Sequence, residues 1–283
     1  MKDFFFIALF AFVLASCAKP AKSSAQDSSP PPQPAAASPA SIPPDQLNAH
    51  QARELIEKGI QALGGEAYLT IRDMEEQGRT YSFYHGRPTG NGTFFWRFTE
   101  FPDKERVELT PQRDVAYVYT SNKGYEITYK GSRSIEKKDL DDYIRRHRFS
   151  LEKILRTWVN DPTVALFFDG AALAGTLSAE KVTLISAKNE AVSIYFDIDT
   201  HLPIKKSYSW RDPVDREKNT EEETYDGYRA VQGVMTCFNF TRYFNGDMQT
   251  ERFMTTVTYN QGFNQAMFDP NSGYTPPKAD KRR

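Results

Sequence analysis

The sequence predicts an α+β fold in which one large curved antiparallel sheet wraps around one or two helices. Three observations predict it. Two short segments space their apolar residues as a helix does, while most of the remaining body alternates with period two. Turn residues, rather than helices, separate successive strand-like runs, so the strand–helix alternation of a parallel sheet is missing. The resulting order is helix, strands, helix, strands. With 283 residues, the chain is long enough for one large core or two small ones.

The first segment belongs to no core. Lys2, an apolar stretch from Phe4 to Leu14 and the small pair Ala15-Ser16 lead to Cys17. Residues 1–16 have the form of a secretion signal, too short to span a bilayer as a helix. The ending Leu14-Ala15-Ser16-Cys17 closely resembles the bacterial lipoprotein signal, the lipobox. In that family the cysteine thiol receives a diacylglyceryl group, a peptidase cuts before the cysteine, and the new amine is acylated. The resemblance implies a mature chain that starts at lipidated Cys17 and hangs from a membrane outside the cytoplasm. The alternative is an ordinary secretory signal with an incidental cysteine. Two or three acyl chains make a lasting anchor, since each buried methylene contributes about 0.8 kcal/mol. Ala18 replaces the aspartate that commonly keeps such proteins on the inner membrane. The family rule therefore implies the outer membrane, with the body facing the periplasm.

After Cys17 the chain to residue 45 is rich in Ala, Ser and Pro. The runs Ser28-Ser29-Pro30-Pro31-Pro32 and Ala35-Ala36-Ala37-Ser38-Pro39 bury too little to offset the entropy of ordering, and read as a disordered stalk. Its roughly 28 residues reach at most about 85 Å when extended and roughly 30 Å as a coil. That lifts a domain clear of the lipid headgroups.

The body, residues 46–276, opens with a helix from His50 to Leu63. Apolar residues at 52, 55, 56, 60 and 63 share one face, and Gly64-Gly65 ends it. A short second helical turn is expected between Glu66 and Arg72. Strands are then predicted from Thr80 to Tyr84, Thr93 to Phe101, Arg106 to Leu109, Val115 to Tyr119 and Tyr125 to Lys130. The turns Thr89-Gly90-Asn91-Gly92, Pro102-Asp103-Lys104 and Ser121-Asn122-Lys123-Gly124 divide them. Tyr125, Ile127 and Tyr129 alternate with Glu126, Thr128 and Lys130, giving one dry and one wetter face. A second helical stretch, from Ser150 to Val159, has Ser150 as its cap and a stripe of Leu151, Ile154, Leu155 and Trp158. Further strands are predicted from Lys181 to Ser186, Ala191 to Ile198, Pro203 to Arg211, Glu221 to Tyr228, Thr236 to Phe244 and Glu251 to Asn260. Residues 277–283, Pro277 and the basic tail, read as disordered.

Several turn motifs in this order are similar to those of the lipoprotein-carrier superfamily, the LolA/LolB-type half-barrels of outer-membrane lipoprotein sorting. They are Ala62-Leu63-Gly64-Gly65-Glu66-Ala67-Tyr68, Asp197-Ile198-Asp199-Thr200-His201-Leu202-Pro203-Ile204-Lys205 and Tyr225-Asp226-Gly227-Tyr228-Arg229-Ala230-Val231-Gln232-Gly233-Val234. Tyr259-Asn260-Gln261-Gly262-Phe263 and Met267-Phe268-Asp269-Pro270 close the series. The resemblance implies a half-barrel that binds acyl chains in an apolar cavity between the concave sheet face and the helices. No local match to the gating residues of the soluble carrier, or to the receptor's protruding apolar loop, is present.

On this reading Phe94, Trp96, Phe98, Leu155, Trp158, Phe238 and Phe240 are the candidate cavity residues. The alternative for aromatic stripes at strand spacing is ordinary core. With Cys17 lipidated, Cys237 is the one thiol left and is expected to be a buried structural residue. Asp197 and Asp199 are expected to make local turn hydrogen bonds, and Glu221-Glu222-Glu223 to form a solvated strand edge. The cluster Arg145-Arg146-His147-Arg148 reads as a solvated loop or helix start. The near-neutral formal charge of −1, evenly mixed, marks no nucleic-acid partner. The four histidines lack metal-ligand spacing, and no nucleophile elbow, phosphate loop or dinucleotide fingerprint occurs. Neither enzyme chemistry nor a cofactor is expected. Two functions remain: an envelope lipoprotein holding a lipid or acyl chain, or a structural or regulatory module acting through a protein partner.

Overall fold

The structure, a computed structural model, describes residues 43–278. The signal segment, Cys17, the linker as far as residue 42 and the tail from residue 279 lie outside the described residues.

Helix α1 runs Pro44–Leu63 and starts inside the segment expected as linker. Pro44 occupies the first turn, where a missing N–H costs nothing, and Asp45 sets a carboxylate at the positive end of the helix dipole. Ala52, Leu55, Ile56, Ile60 and Leu63 form its buried face. Gly59 belongs to the same face because a Cβ there would lie 2.2 Å from the Phe196 ring. Gly64 ends the helix at φ 121°, its N–H donating to Gln61 O at 3.0 Å. The one-turn α2, Glu66–Leu69, follows.

A first meander comprises β1 (Asp73–Tyr84), the short β2 (Arg87–Pro88), β3 (Thr93–Glu100), β4 (Lys104–Leu109), β5 (Val115–Thr120), β6 (Lys123–Thr128) and β7 (Gly131–Ser134). Two helices come next, α3 (Lys137–Arg148) and α4 (Leu151–Arg156), and a 3₁₀ turn at Trp158–Asn160. The second meander is β8 (Ala165–Ala174), β9 (Leu177–Ile185), β10 (Ala191–Asp197), β11 (Pro203–Arg211) and β12 (Lys218–Asp226). A separate hairpin, β13 (Arg229–Val231) with β14 (Val234–Thr236), precedes the last strands β15 (Asn239–Phe244) and β16 (Asp247–Tyr259). Every pairing is antiparallel, and the sheet order is β7-β6-β5-β4-β3-β1-β16-β15-β12-β11-β10-β9-β8. The pairing of β1 with β16 welds the two meanders at mid-sheet, while β7 and β8 remain as edges, so the curved sheet is open.

The two halves of the concave face are filled differently. Over the second meander the core is solid: Ala52 and Ile56 of α1 and Ile154 and Leu155 of α4 pack on Val182, Leu184, Ile194 and Phe196. Over the first meander α3 stands off the sheet. Tyr143 stacks on Tyr119 with ring centroids 3.6 Å apart, and the Arg145 guanidinium lies 3.8 Å above the Trp210 ring. His147 Nε2 meets Pro102 O at 2.9 Å. The basic cluster is therefore the last turn of α3 rather than a solvated loop, favourably placed at the negative end of its dipole.

On the convex face, a small second core joins Phe98 to Met267 and Phe268 of the C-terminal segment. That segment covers a buried ion cluster: Arg106 Nε donates to Glu108 at 2.6 Å, Arg113 pairs with the same carboxylate, and Arg106 Nη1 donates to Met267 O at 2.9 Å. Ser150 caps α4, its Oγ accepting from Lys153 N at 3.2 Å. Asp197 Oδ1 accepts from Thr200 N and Oγ1, both at 2.8 Å, the local turn bonding expected of that hairpin.

Candidate functional site

Between the first meander and α3 lies a cavity of about 390 Å³, inside the roughly 300–1,000 Å³ usual for small-molecule sites. Its floor is built from the inward-facing residues of β1, β3, β4, β5, β12, β15 and β16. Its roof includes Tyr143 and Arg146 of α3 with Leu151 and Glu152 of α4.

Strand register orders the floor. Met74 stands opposite Tyr259, and Thr80 stands opposite Arg252. Six residues of strand separate the two rows by about 20 Å. The Met74–Tyr259 end lies beside the close of α1 and the β13–β14 hairpin. Gln232 Nε2 donates to Tyr259 O at 3.1 Å, and a Cβ on Gly64 would come within 2.4 Å of Gly233 O. Leu63, Val234 and Met235 give this end an apolar wall, with Tyr68 beside them and the Glu152 carboxylate close enough to act on Tyr68 and Tyr259.

The middle and far end carry charge. Arg97 bridges Glu76 at 3.0 Å and Glu105 at 2.6 Å. Burial alone would lower the proton affinity of Arg97, but the two carboxylates outweigh it and raise it well above the ordinary value. Glu223 accepts from Tyr225 at 2.6 Å and pairs with Lys206 at 2.5 Å. Burial pushes its carboxyl upward, yet Lys206 and Tyr225 prevail and hold it below the usual range. Arg252 lies 4.1 Å above the Phe240 ring, and Arg242 Nη2 donates to Thr250 Oγ1 at 3.2 Å. Burial lowers the proton affinity of both arginines, helped by Arg97 in one case and Arg146 in the other.

The cavity is thus not the wholly apolar one expected. Glu221 and Glu223, read as a solvated edge, are 3% and 8% exposed and point inward. The reason is alternation: β12 interleaves Glu221, Glu223 and Tyr225 on the concave side with Glu222 on the other, where it pairs with Lys205 at 2.5 Å.

Of the seven candidate cavity residues, Phe240 lines the cavity. Phe94, Trp96 and Phe98 occupy the opposite face of β3, since Phe95 and Arg97 are the residues that point inward. Phe94 is 39% exposed beneath Arg79, while Trp96 and Phe98 belong to the small convex core. Leu155, Trp158 and Phe238 are buried in the main core. A covering segment on the convex side makes that face of β3 the more apolar one, so period two points to the wrong face as the cavity wall. Arg97, Arg242, Arg252 and Arg146 were missed. An arginine flanked by Trp96 and Phe98 was the available signal. Cys237 is half-buried and lines the cavity; its Sγ donates to Asn239 O at 2.9 Å, and burial pushes the thiol up to about 12. Among the described residues no group of three His, Cys, Asp or Glu side chains is placed to hold a metal ion.

An open curved antiparallel sheet with helices over its concave face and a cavity between them defines an α+β half-barrel. Two solved structures are similar to it in fold. A DUF1329 family protein from Desulfovibrio piger is similar at 12% identity and TM-score 0.55, with 78% of this chain and 97% of that chain covered. A domain assigned to outer membrane lipoprotein sorting, from Vibrio parahaemolyticus, is similar at 10% identity and TM-score 0.50, covering 79% of this chain and 98% of that chain. A LolA superfamily protein from Nitrosomonas europaea aligns at 9% identity and TM-score 0.47, over 77% and 97% of the two chains. At these identities the likeness is one of fold. No family model and no curated protein matches the chain by sequence.

Proposed function

We propose that this chain is an envelope lipoprotein, anchored through lipidated Cys17 to the outer membrane and facing the periplasm, that holds a hydrophobic ligand in its cavity. The ligand is a lipid or a lipoprotein acyl chain, and lipoprotein sorting is the setting the fold suggests. Residues 18–42 act as the spacer between anchor and body. The observation that carries this reading is the 390 Å³ space left between α3 and the first meander, in a molecule whose other half is packed solid. The shared half-barrel fold supports it.

Native mass spectrometry with lipid extraction, on the full-length chain purified from bacterial envelopes, tests the reading. Stoichiometric bound lipid is expected. A clean apo mass that persists after incubation with envelope lipids would refute it. The second reading, a module acting through a protein partner, draws on one feature. Leu173 and Leu177 flank the β8–β9 turn at 67% and 53% exposure, next to an unpaired sheet edge.

A further inference from the structure

The cavity lining holds four arginines and four glutamates, but they are unevenly paired. Arg97 occupies Glu76 and Glu105, while Lys206 and Tyr225 occupy Glu223. Among the described residues, Arg146, Arg242 and Arg252 meet no carboxylate at salt-bridge distance, and Glu152 is the one lining carboxylate equally without a cation. A guanidinium withdrawn from water without a counter-charge is costly. Both Arg242 and Arg252 show that cost as a lowered proton affinity caused first by burial. Groups perturbed in this way, gathered in a cavity, mark binding sites.

A second observation points the same way. The Tyr143 hydroxyl is buried and finds no hydrogen-bond partner among the described residues. Tyr143 and Arg146 are three residues apart on α3, hence on one face, and both line the roof. A buried phenol lacking a partner forgoes a bond that an acceptor in the cavity would supply.

We propose that the cavity takes an amphiphile with an anionic head, phosphate or carboxylate, seated among Arg252, Arg242 and Arg146, its hydrocarbon tail lying toward Met74, Tyr68 and Tyr259. Guanidinium groups match both anions with paired N–H donors. The register places the Arg252 row about 20 Å from the Met74 row, so head and tail have separate walls. This inference rests on the proposal that the cavity holds a hydrophobic ligand, and adds the chemistry of the head.

The test uses three ligands with one tail: palmitate, monopalmitoyl lysophosphatidic acid and neutral monopalmitoylglycerol. Each displaces a neutral fluorescent probe, N-phenyl-1-naphthylamine, from the delipidated full-length chain. At least one anionic ligand is expected to bind about tenfold or more tightly than the neutral one. The two anionic arms separate carboxylate from phosphate. In Arg252→Met that preference, read as the ratio of anionic to neutral affinity, falls about tenfold, and Arg242→Met serves as a second variant should the first fail to fold. Equal binding of all three ligands, or an unchanged preference in the folded variant, overturns the anionic head and leaves the hydrophobic site standing. No binding of any of the three overturns both.

Discussion

Arg97 is the residue whose loss the concave face should tolerate least. Arg97→Met keeps much of the aliphatic stem but strips the cation from Glu76 and Glu105, whose side chains are only 10% and 9% exposed. Removing one partner of a buried ion pair costs about 3–5 kcal/mol, because the charge left behind is neither solvated nor paired. The Arg97 side chain is itself 26% exposed, so water reaches part of the site and the lower figure, about 3 kcal/mol, applies. Against a total stability of about 5–15 kcal/mol, that is a fifth to more than half. At about 2–4 °C per kcal/mol for a domain of this size, the midpoint of thermal unfolding should fall by about 6–12 °C.

Urea unfolding at pH 7.5, followed by tryptophan fluorescence, measures the loss directly. A control separates charge from packing: the triple variant Arg97→Met, Glu76→Gln, Glu105→Gln removes the whole triad and should regain at least half of what the single variant loses. A loss below about 1 kcal/mol in R97M, or a triple variant less stable than the single one, would refute the argument that these charges are buried and mutually dependent.

Other expectations follow from single features. Cys17→Ser should move the protein from the membrane fraction to the soluble periplasm, and continued membrane fractionation would rule out the lipid anchor. Gly59→Ala should destabilise by about 1–3 kcal/mol through overpacking against Phe196; a neutral effect in denaturant melts would show that the ring gives way freely. Cys237, with its thiol raised to about 12 by burial, should react with iodoacetamide at pH 8 at least about a hundredfold more slowly than free cysteine. Alkylation at the free-thiol rate would contradict that burial. Because the Glu223 carboxyl is held below its ordinary value, its contribution is complete above about pH 4.3, the unfolded value, and is lost as pH falls through the folded one. Glu223→Gln should therefore flatten the acid limb of the stability profile, and parallel acid limbs in the two proteins would contradict it.

Much of the architecture was legible in the sequence, and the gaps have physical causes. The α1 stripe, the Ser150 cap and the β10–β11 hairpin follow from helical spacing, a hydroxyl before Leu151 and the Asp197–Thr200 turn chemistry. The short strands β2, β7, β13 and β14 were not foreseen, and two longer elements were hidden. Helix α3 buries just Tyr143 fully, so its Leu140, Tyr143 and Ile144 spacing is submerged in charge. Strand β8 is bulged between Phe168 and Gly170, which breaks the alternation that would have announced it.

The site was harder to read for a reason that also bears on how the fold is specified. On β3, hydrophobicity alone favours the wrong face: Phe94, Trp96 and Phe98 outweigh Phe95, Arg97 and Thr99 as candidates to point inward. A strand turned over in this way would carry Arg97 away from Glu76 and Glu105 and leave two carboxylates on the concave face without their cation. It would also take Phe98 away from Phe263 and the C-terminal segment, whose aromatic contact has centroids 5.5 Å apart. The observed arrangement satisfies both faces at once, with the ion triad inside and the covered aromatics outside. Pattern reading failed at β3 because it weighs apolar residues and discounts charges, whereas here the charges distinguish the two faces. Those same inward charges keep the first half of the sheet from closing on α3 as an oily core would, since packing them against apolar groups would cost more than the contacts return. An open space with a polar end is the consequence.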